Sequence, residues 1–166
     1  MTSSRLQLLI ALLLLLTISL VTGATTGKGY GLTLLAVSEN GEGLTAQLYL
    51  KLAPGTGNVF IQAQPVTKLD TRTSIRLAKE IACKSIVAVS EKCEKYDFFY
   101  RLEANASIIG GPSAGAAVAA LTVAALDEES INDSVAITGT INSGGLVGQV
   151  GGLINKIEAA SAAGLS

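Results

Sequence analysis

Apolar and polar residues alternate along several segments in the first half of the chain. The clearest is 44–52, where apolar side chains occupy every second position, the period of a half-buried β-strand. The segments 32–37 and 58–66 have a similar character, and glycine-containing turns separate the three. We therefore predict that residues 32–66 form an antiparallel meander, with a further strand at 96–102.

Helical patterns begin after the meander and dominate the second half. Asp70 or Thr71 can cap a helix that ends near Val89. A second helix, Ala114 to Leu126, is apolar on nearly every side, as expected of a buried helix. Antiparallel strands followed by βαβ-type helices and strands indicate a mixed α/β (α+β) domain. The remaining predicted elements are a strand at 134–141 and an amphipathic helix at 153–163.

The amino-terminal end has the pattern of a secretory leader. Arg5 is followed by an apolar stretch of 16 residues that includes the leucine run 12–16. As a helix this stretch is roughly 24 Å long, short for a bilayer core of about 30 Å. We predict that residues 1–23 are a signal peptide, cleaved before Ala24, or a retained membrane anchor. The protein would then be exported or membrane-anchored, with 24–29 as a linker.

Composition excludes several classes of function. The 166 residues predict one domain, and a net charge of −1 with 4% aromatic residues argues against nucleic-acid binding. The chain has no histidine, which excludes Ser-His-Asp triads, Cys-His dyads and histidine-based zinc sites. We expect no cofactor and no metal. In an oxidising compartment Cys83 and Cys93 could form a disulfide, with two buried thiols as the alternative.

One serine lies where nucleophilic catalysis is chemically favourable. Ser113 lies in a Gly-rich loop at the start of the buried helix, where free N–H groups could form an oxyanion hole. Without histidine, the base for this serine would be a lysine. Lys156 is flanked by Leu153 and Ile157 on an apolar helical face, and burial there would lower its pKa. The sequence pattern alone does not say that Ser113 and Lys156 meet.

Three motifs, in order and in register, resemble the proteolytic domain of Lon proteases. They are Gly111-Pro112-Ser113-Ala114-Gly115, Ala136-Ile137-Thr138-Gly139 and Gly151-Gly152-Leu153-Ile154-Asn155-Lys156. Ser113 and Lys156 are 43 positions apart, as in that family. The resemblance extends from about Gly29 to the end. With its leader, the chain looks most similar to archaeal Lon-like serine proteases that have a signal sequence. The implied fold is the Lon-type domain, related to the second domain of ribosomal protein S5.

The resemblance implies roles for individual residues. Ser113 would be the nucleophile, Lys156 the general base, and Thr138 would hydrogen-bond the lysine ammonium. Gly111, Pro112 and Ala114 would form the loop around the oxyanion. The expected activity is ATP-independent hydrolysis of a peptide or protein substrate, with self-association of the chain as a further expectation.

The sequence departs from the Lon pattern in three respects. Gly110 stands where the family has Asp, and Thr140 stands where it has Glu. Both changes alter the charge near the expected site and leave the serine and lysine in place. The segment 30–166 would be a proteolytic domain truncated at its C-terminus, because the family has another strand and helix beyond it.

Two other functions fit parts of the same pattern. Gly110 to Gly115 at a helix start could bind phosphate, as in small-molecule kinases of the GHMP superfamily. The chain could also be a catalytically inactive Lon-like binding module, which the missing acid at Gly110 favours. Reaction of Ser113 with a serine-directed phosphonate would separate both from a peptidase.

Overall fold

The computed structural model describes residues 28–165, apart from the side chains of Pro65, Val87, Ala88, Ser107 and Ile108. This part of the chain forms a four-stranded sheet, a two-stranded sheet and four helices. The strands are β1 (Gly29–Val37), β2 (Gly43–Pro54), β3 (Val59–Thr67), β4 (Tyr96–Ile109), β5 (Thr140–Ile141) and β6 (Val147–Gly148). The helices are α1 (Leu69–Ser85), α2 (Val87–Cys93), α3 (Gly115–Leu126) and α4 (Leu153–Ala162). The mixed α/β architecture predicted from the sequence is confirmed.

The predicted antiparallel meander is wrong in its third strand. The sheet order is β1-β2-β4-β3, so β3 pairs with β4, in parallel, and not with β2. The turn after β2 explains the difference, because it is bound to the start of β4. Asp97 Oδ1 accepts hydrogen bonds from the N–H groups of Thr56 and Asn58, both at 2.9 Å, and Gly55 N donates to Lys95 O. The chain therefore passes beyond the position that β4 occupies in the sheet before β3 begins.

The helix expected to run to Val89 is interrupted. It ends at Ser85, and Ile86 is extended (φ −127°, ψ 109°) before α2 begins. The N-cap residue is Lys68, not Asp70 or Thr71, which both lie in the first turn. The reversal at Ile86 brings α2 back toward α1, where a disulfide joins Cys83 and Cys93.

The core lies between one face of the sheet and the helices α1 and α3. The alternation along 44–52 is confirmed, because Ala46, Leu48 and Leu50 are buried while the residues between them are at least partly exposed. Inside this core the Tyr100 hydroxyl pairs with Thr122 Oγ1 at 2.6 Å, so both polar groups are satisfied. The other fully buried core residues include Ile75, Phe98, Leu102, Val118 and Leu121.

The strand predicted at 134–141 is mostly absent from the described structure. Ala136 makes an isolated bridge to Thr33, and only the two residues of β5 pair with β6. The backbone of Gly139 is used elsewhere: its N–H donates to Ser113 O at 2.9 Å, and its carbonyl accepts from Ala116 N at 3.0 Å. This segment is thereby attached to the loop before α3, which positions it for the site described below.

The predicted leader, residues 1–23, lies outside the described residues, as does most of the predicted linker 24–29. Gly29, its last residue, is the first residue of β1. None of the helices formed by residues 28–165 has the length and apolarity needed to cross a membrane.

Candidate active site

Ser113 lies in the loop that joins β4 to α3, two residues before the helix begins. Its side chain is partly exposed. Two hydrogen bonds shape the end of this loop: Gly115 N donates to Pro112 O at 3.1 Å, and Ser113 O accepts the N–H of Gly139. The backbone on both sides of the serine is therefore fixed, while the residue remains partly exposed.

Thr138 connects the serine loop to Lys156. Its hydroxyl donates to Ser113 O at 3.4 Å and accepts a hydrogen bond from Lys156 Nζ at 3.1 Å. The structure thus brings the three residues that the sequence singled out into one connected group. No hydrogen bond in the described part of the chain joins the Ser113 hydroxyl itself to Lys156.

Lys156 is almost completely buried, with 3% of its surface exposed. The apolar residues Leu153 and Ile157, expected to be buried around it, are exposed by 51% and 57%. The helix α4 packs on β1 and β2, and Lys156 lies on a side of it that is closed to solvent. This burial lowers the pKa of the Lys156 ammonium below its usual 10.5, because the charged form loses hydration.

A glycine places the lysine in that position. Gly152, the residue before α4, has φ +63°, a conformation that side chains disfavour. A Cβ atom there would also lie 2.6 Å from Val37 Cγ2, at the end of β1. The close approach allows α4 to begin against the sheet, so that Lys156 in its first turn points inward.

Two backbone N–H groups are available beside the serine. Within residues 28–165, the N–H groups of Ser113 and Ala114 have no hydrogen-bond acceptor. Of the other loop residues named from the sequence, Gly111 donates its N–H to Asp70 Oδ2 at 3.2 Å, and Pro112 has no N–H. Ser113 and Ala114 are therefore the donors that could bind an oxyanion here.

The site includes residues that the sequence analysis did not select. Asp70, Thr71 and Ser74, in the first turns of α1, all hydrogen-bond the loop before Ser113. They lie about 40 positions from it in the chain, and nothing in a local pattern connects them to it. Cys83 and Cys93 lie in α1 and α2, outside this group of residues. The described residues contain no cluster of three or more metal-ligand side chains.

Comparison with known proteins identifies the family. A family model, the Lon protease (S16) C-terminal proteolytic domain, matches residues 25–166. Lon protease 2 of Thermus thermophilus is 33% identical over 118 residues, which cover 70% of this chain and 15% of that protein. The Lon protease of Fervidobacterium nodosum is 32% identical over 145 residues, covering 86% and 16%. The chain thus spans about 15% of the length of these curated relatives. It belongs to the family of Lon protease C-terminal proteolytic domains.

Proposed function

We propose that this chain is a serine peptidase that hydrolyses peptide bonds with Ser113 as nucleophile and Lys156 as general base. The observation that supports this most strongly is the path from the buried amine to the serine. Lys156 Nζ binds Thr138 Oγ1, and Thr138 Oγ1 binds the backbone carbonyl of Ser113. A lysine with a lowered pKa, connected through Thr138 to the backbone of a serine at a helix start, supports this choice of base.

The first half-reaction forms an acyl-enzyme. Neutral Lys156 Nζ takes the proton of Ser113 Oγ while Oγ bonds to the substrate carbonyl carbon. The carbonyl oxygen becomes an oxyanion, and the N–H groups of Ser113 and Ala114 stabilise it. When the C=O bond re-forms, the C–N bond breaks, and the Lys156 ammonium gives its proton to the departing amine. The step requires Ser113 Oγ to approach Lys156 Nζ in the substrate complex.

The second half-reaction releases the product acid. Lys156 Nζ takes a proton from water as the water oxygen bonds to the acyl carbon. Collapse of this second tetrahedral species breaks the bond to Ser113 Oγ, and the ammonium returns its proton to that oxygen. Because both halves start from the neutral amine, the burial that lowers the pKa of Lys156 is what makes it usable as a base.

Covalent labelling with a fluorophosphonate tests this function directly. The full chain should react at Ser113, identified by mass spectrometry of the labelled peptide, and Ser113→Ala should neither react nor hydrolyse a peptide ester. Ser161→Ala, which removes an exposed serine on α4, is the matched control and should behave as wild type. Normal turnover by Ser113→Ala would disprove the assignment.

We propose further that this hydrolysis needs no ATP. Every step above uses only Ser113, Lys156, backbone N–H groups and water, so nothing in the bond chemistry consumes a nucleotide. The substrate class is a peptide or protein, and a second copy of the chain is a candidate partner. Cleavage of a short fluorogenic peptide should therefore proceed equally with and without added nucleotide.

We propose that the chain is exported or membrane-anchored. The support is the leader pattern in the sequence together with the disulfide between Cys83 and Cys93, a bond that persists mainly in oxidising compartments. Fractionation of expressing cells should find the protein outside the cytoplasm. Recovery only from the cytoplasm, with both thiols free to alkylate, would reject this proposal.

The phosphate-binding alternative is disfavoured by one contact. The N–H of Gly111, which a phosphate-binding loop would offer to an anion, is bound by the carboxylate of Asp70. A phosphate would have to displace one negative group and lie beside it, at an electrostatic cost. An inactive binding module would share this geometry, and the labelling experiment separates it from a peptidase.

A further inference from the structure

The loop before Ser113 is held by the start of α1 through four hydrogen bonds. Lys68 N donates to Ile109 O at 2.9 Å, and Gly111 N donates to Asp70 Oδ2 at 3.2 Å. Thr71 Oγ1 donates to Gly111 O at 3.2 Å, and Ser74 Oγ donates to Pro112 O at 3.1 Å. One helix end thus binds nearly every residue between β4 and the serine.

The side chains that make these bonds are themselves fixed. The other oxygen of Asp70 accepts the N–H of Thr71 at 2.7 Å, which orients the carboxylate, and an acidic group is favourable in the first turn of a helix. Thr71 is 1% and Ser74 7% exposed. Hydrogen bonds shielded from water in this way are strong, and they are costly to leave unmade.

The bond from Ser74 determines where the Ser113 N–H points. Pro112 O and Ser113 N belong to the same peptide unit, and in a trans peptide the carbonyl and the N–H face opposite ways. Ser74 Oγ and Gly115 N both hold the Pro112 carbonyl toward the protein. The N–H of Ser113 is therefore directed away from these two groups.

The preceding peptide is held in the same manner. Gly111 has φ +97°, so the chain turns sharply one residue before Pro112. Asp70 binds the N–H of Gly111 and Thr71 binds its carbonyl, which fixes both sides of that turn.

We propose that Asp70, Thr71 and Ser74 are positioning residues that preorganise the Ser113 N–H as an oxyanion donor. This inference rests on the proposed peptidase function. The three side chains do not touch substrate; they keep the loop peptides oriented so that no reorganisation is needed when negative charge develops on the substrate oxygen. Preorganisation of this kind acts on the transition state more than on bound substrate.

Ser74→Ala and Asp70→Asn in the full chain test the proposal. Each should lower kcat for a peptide ester about tenfold or more, with KM within about twofold, because the lost contact matters when charge develops. Each should also lower the affinity for a peptide boronate, which forms a tetrahedral adduct on the serine, by the same factor by which kcat falls. A role limited to stability would not couple these two quantities.

Thr73→Ala is the matched control. Thr73 lies in the same helical turn, and its hydroxyl donates to Leu69 O at 3.0 Å, within the helix. It should leave kcat and boronate affinity at wild-type values. Asp70 is exposed, so Asp70→Asn carries the test even where Ser74→Ala does not fold.

The outcomes distinguish this inference from the function on which it rests. Wild-type kcat and boronate affinity in Asp70→Asn and in every folded Ser74→Ala preparation would overturn the positioning role, while fluorophosphonate labelling of Ser113 would still support the peptidase. Absence of labelling in the wild-type chain would overturn the function itself. Equal losses in Thr73→Ala would also reject the inference, because they would show a general effect of this helical turn.

Discussion

The two sides of the candidate site are held in different ways. On the nucleophile side, backbone groups around Ser113 are bound by α1, by Gly139 and by the first turn of α3, so that geometry is fixed by many hydrogen bonds. On the base side, Lys156 is held by its burial on the side of α4 that packs on the sheet and by one hydrogen bond, to Thr138. The orientation of the backbone therefore determines the geometry of the nucleophile side, and the loss of hydration determines the proton affinity of the base side.

This difference predicts how each side responds to substitution. Loss of hydrogen bonds on the nucleophile side should act through geometry and leave the pH dependence of the reaction unaltered. Changes on the base side should act through the proton affinity of one amine and therefore appear in the pH profile. Thr138 belongs to both sides and is the exception.

The largest effect is expected from Lys156→Arg. Arginine retains the positive charge but does not deprotonate in proteins, so it cannot accept the Ser113 proton. Acylation of Ser113 should fall by at least about 100-fold, the usual range for loss of a general base. The measurement is the fluorophosphonate labelling rate, with Lys84→Arg, an exposed lysine of α1, as control. A rate within tenfold of wild type would remove Lys156 from the mechanism.

A smaller effect, about 30-fold in kcat, is expected from Thr138→Val. Valine keeps the shape but removes the hydroxyl that binds Lys156 Nζ and Ser113 O, each bond contributing on the order of 1 kcal/mol. Thr140→Val is the control, since its hydroxyl also binds a carbonyl, that of Gln149, at 3.4 Å. Should both variants lose activity equally, the connecting role of Thr138 would be contradicted.

The smallest effect is expected from Gly110→Asp. Wild-type acylation should rise with pH through the lowered pKa of Lys156, because only the neutral amine accepts a proton. A Cβ at position 110 would meet the Lys68 side chain, 2.7 Å from its Cδ, so the new carboxylate should pair with Lys68. The profile should stay within about twofold of wild type at each pH, as for other exposed ion pairs.

The double variant Gly110→Asp, Lys68→Ala sharpens this test. Without the Lys68 ammonium, the carboxylate should raise the proton affinity of Lys156 and move the rise in acylation to higher pH. An unchanged pH profile of acylation in the double variant would show that a carboxylate at position 110 does not affect the proton affinity of Lys156. A flat profile in the wild type would contradict the role of Lys156.

Much of the first half of the fold could be predicted from the sequence, because strands and helices there follow local periodicity. The structure of segment 134–141 could not be predicted in this way. Its apolar character suits a strand, but the backbone of Gly139 hydrogen-bonds Ser113 in the loop and Ala116 in α3. The partner of β3 was also beyond local reasoning, because Asp97 redirects the chain from 41 positions away.

The residues of the candidate site likewise divide into those that a sequence motif reveals and those that only tertiary contacts reveal. Ser113, Thr138 and Lys156 were identified through motifs, whereas Asp70, Thr71 and Ser74 act on the loop only through tertiary contact. The prediction that Leu153 and Ile157 surround Lys156 on a buried face is wrong, because the apolar side of α4 that carries them is exposed. Which side of α4 meets the sheet depends on Gly152 and Val37, which no periodicity reveals.

The buried Lys156 also couples folding to proton release. Its pKa in the folded chain is below 10.5, the value it regains on unfolding. Between these two pKa values the unfolded chain binds more protons than the folded one, so the free energy of unfolding rises with pH across that interval. Below the lower pKa the amine is protonated in both states and the penalty of burying the ammonium is felt in full. The pH change that frees the amine for catalysis is therefore one that strengthens the fold.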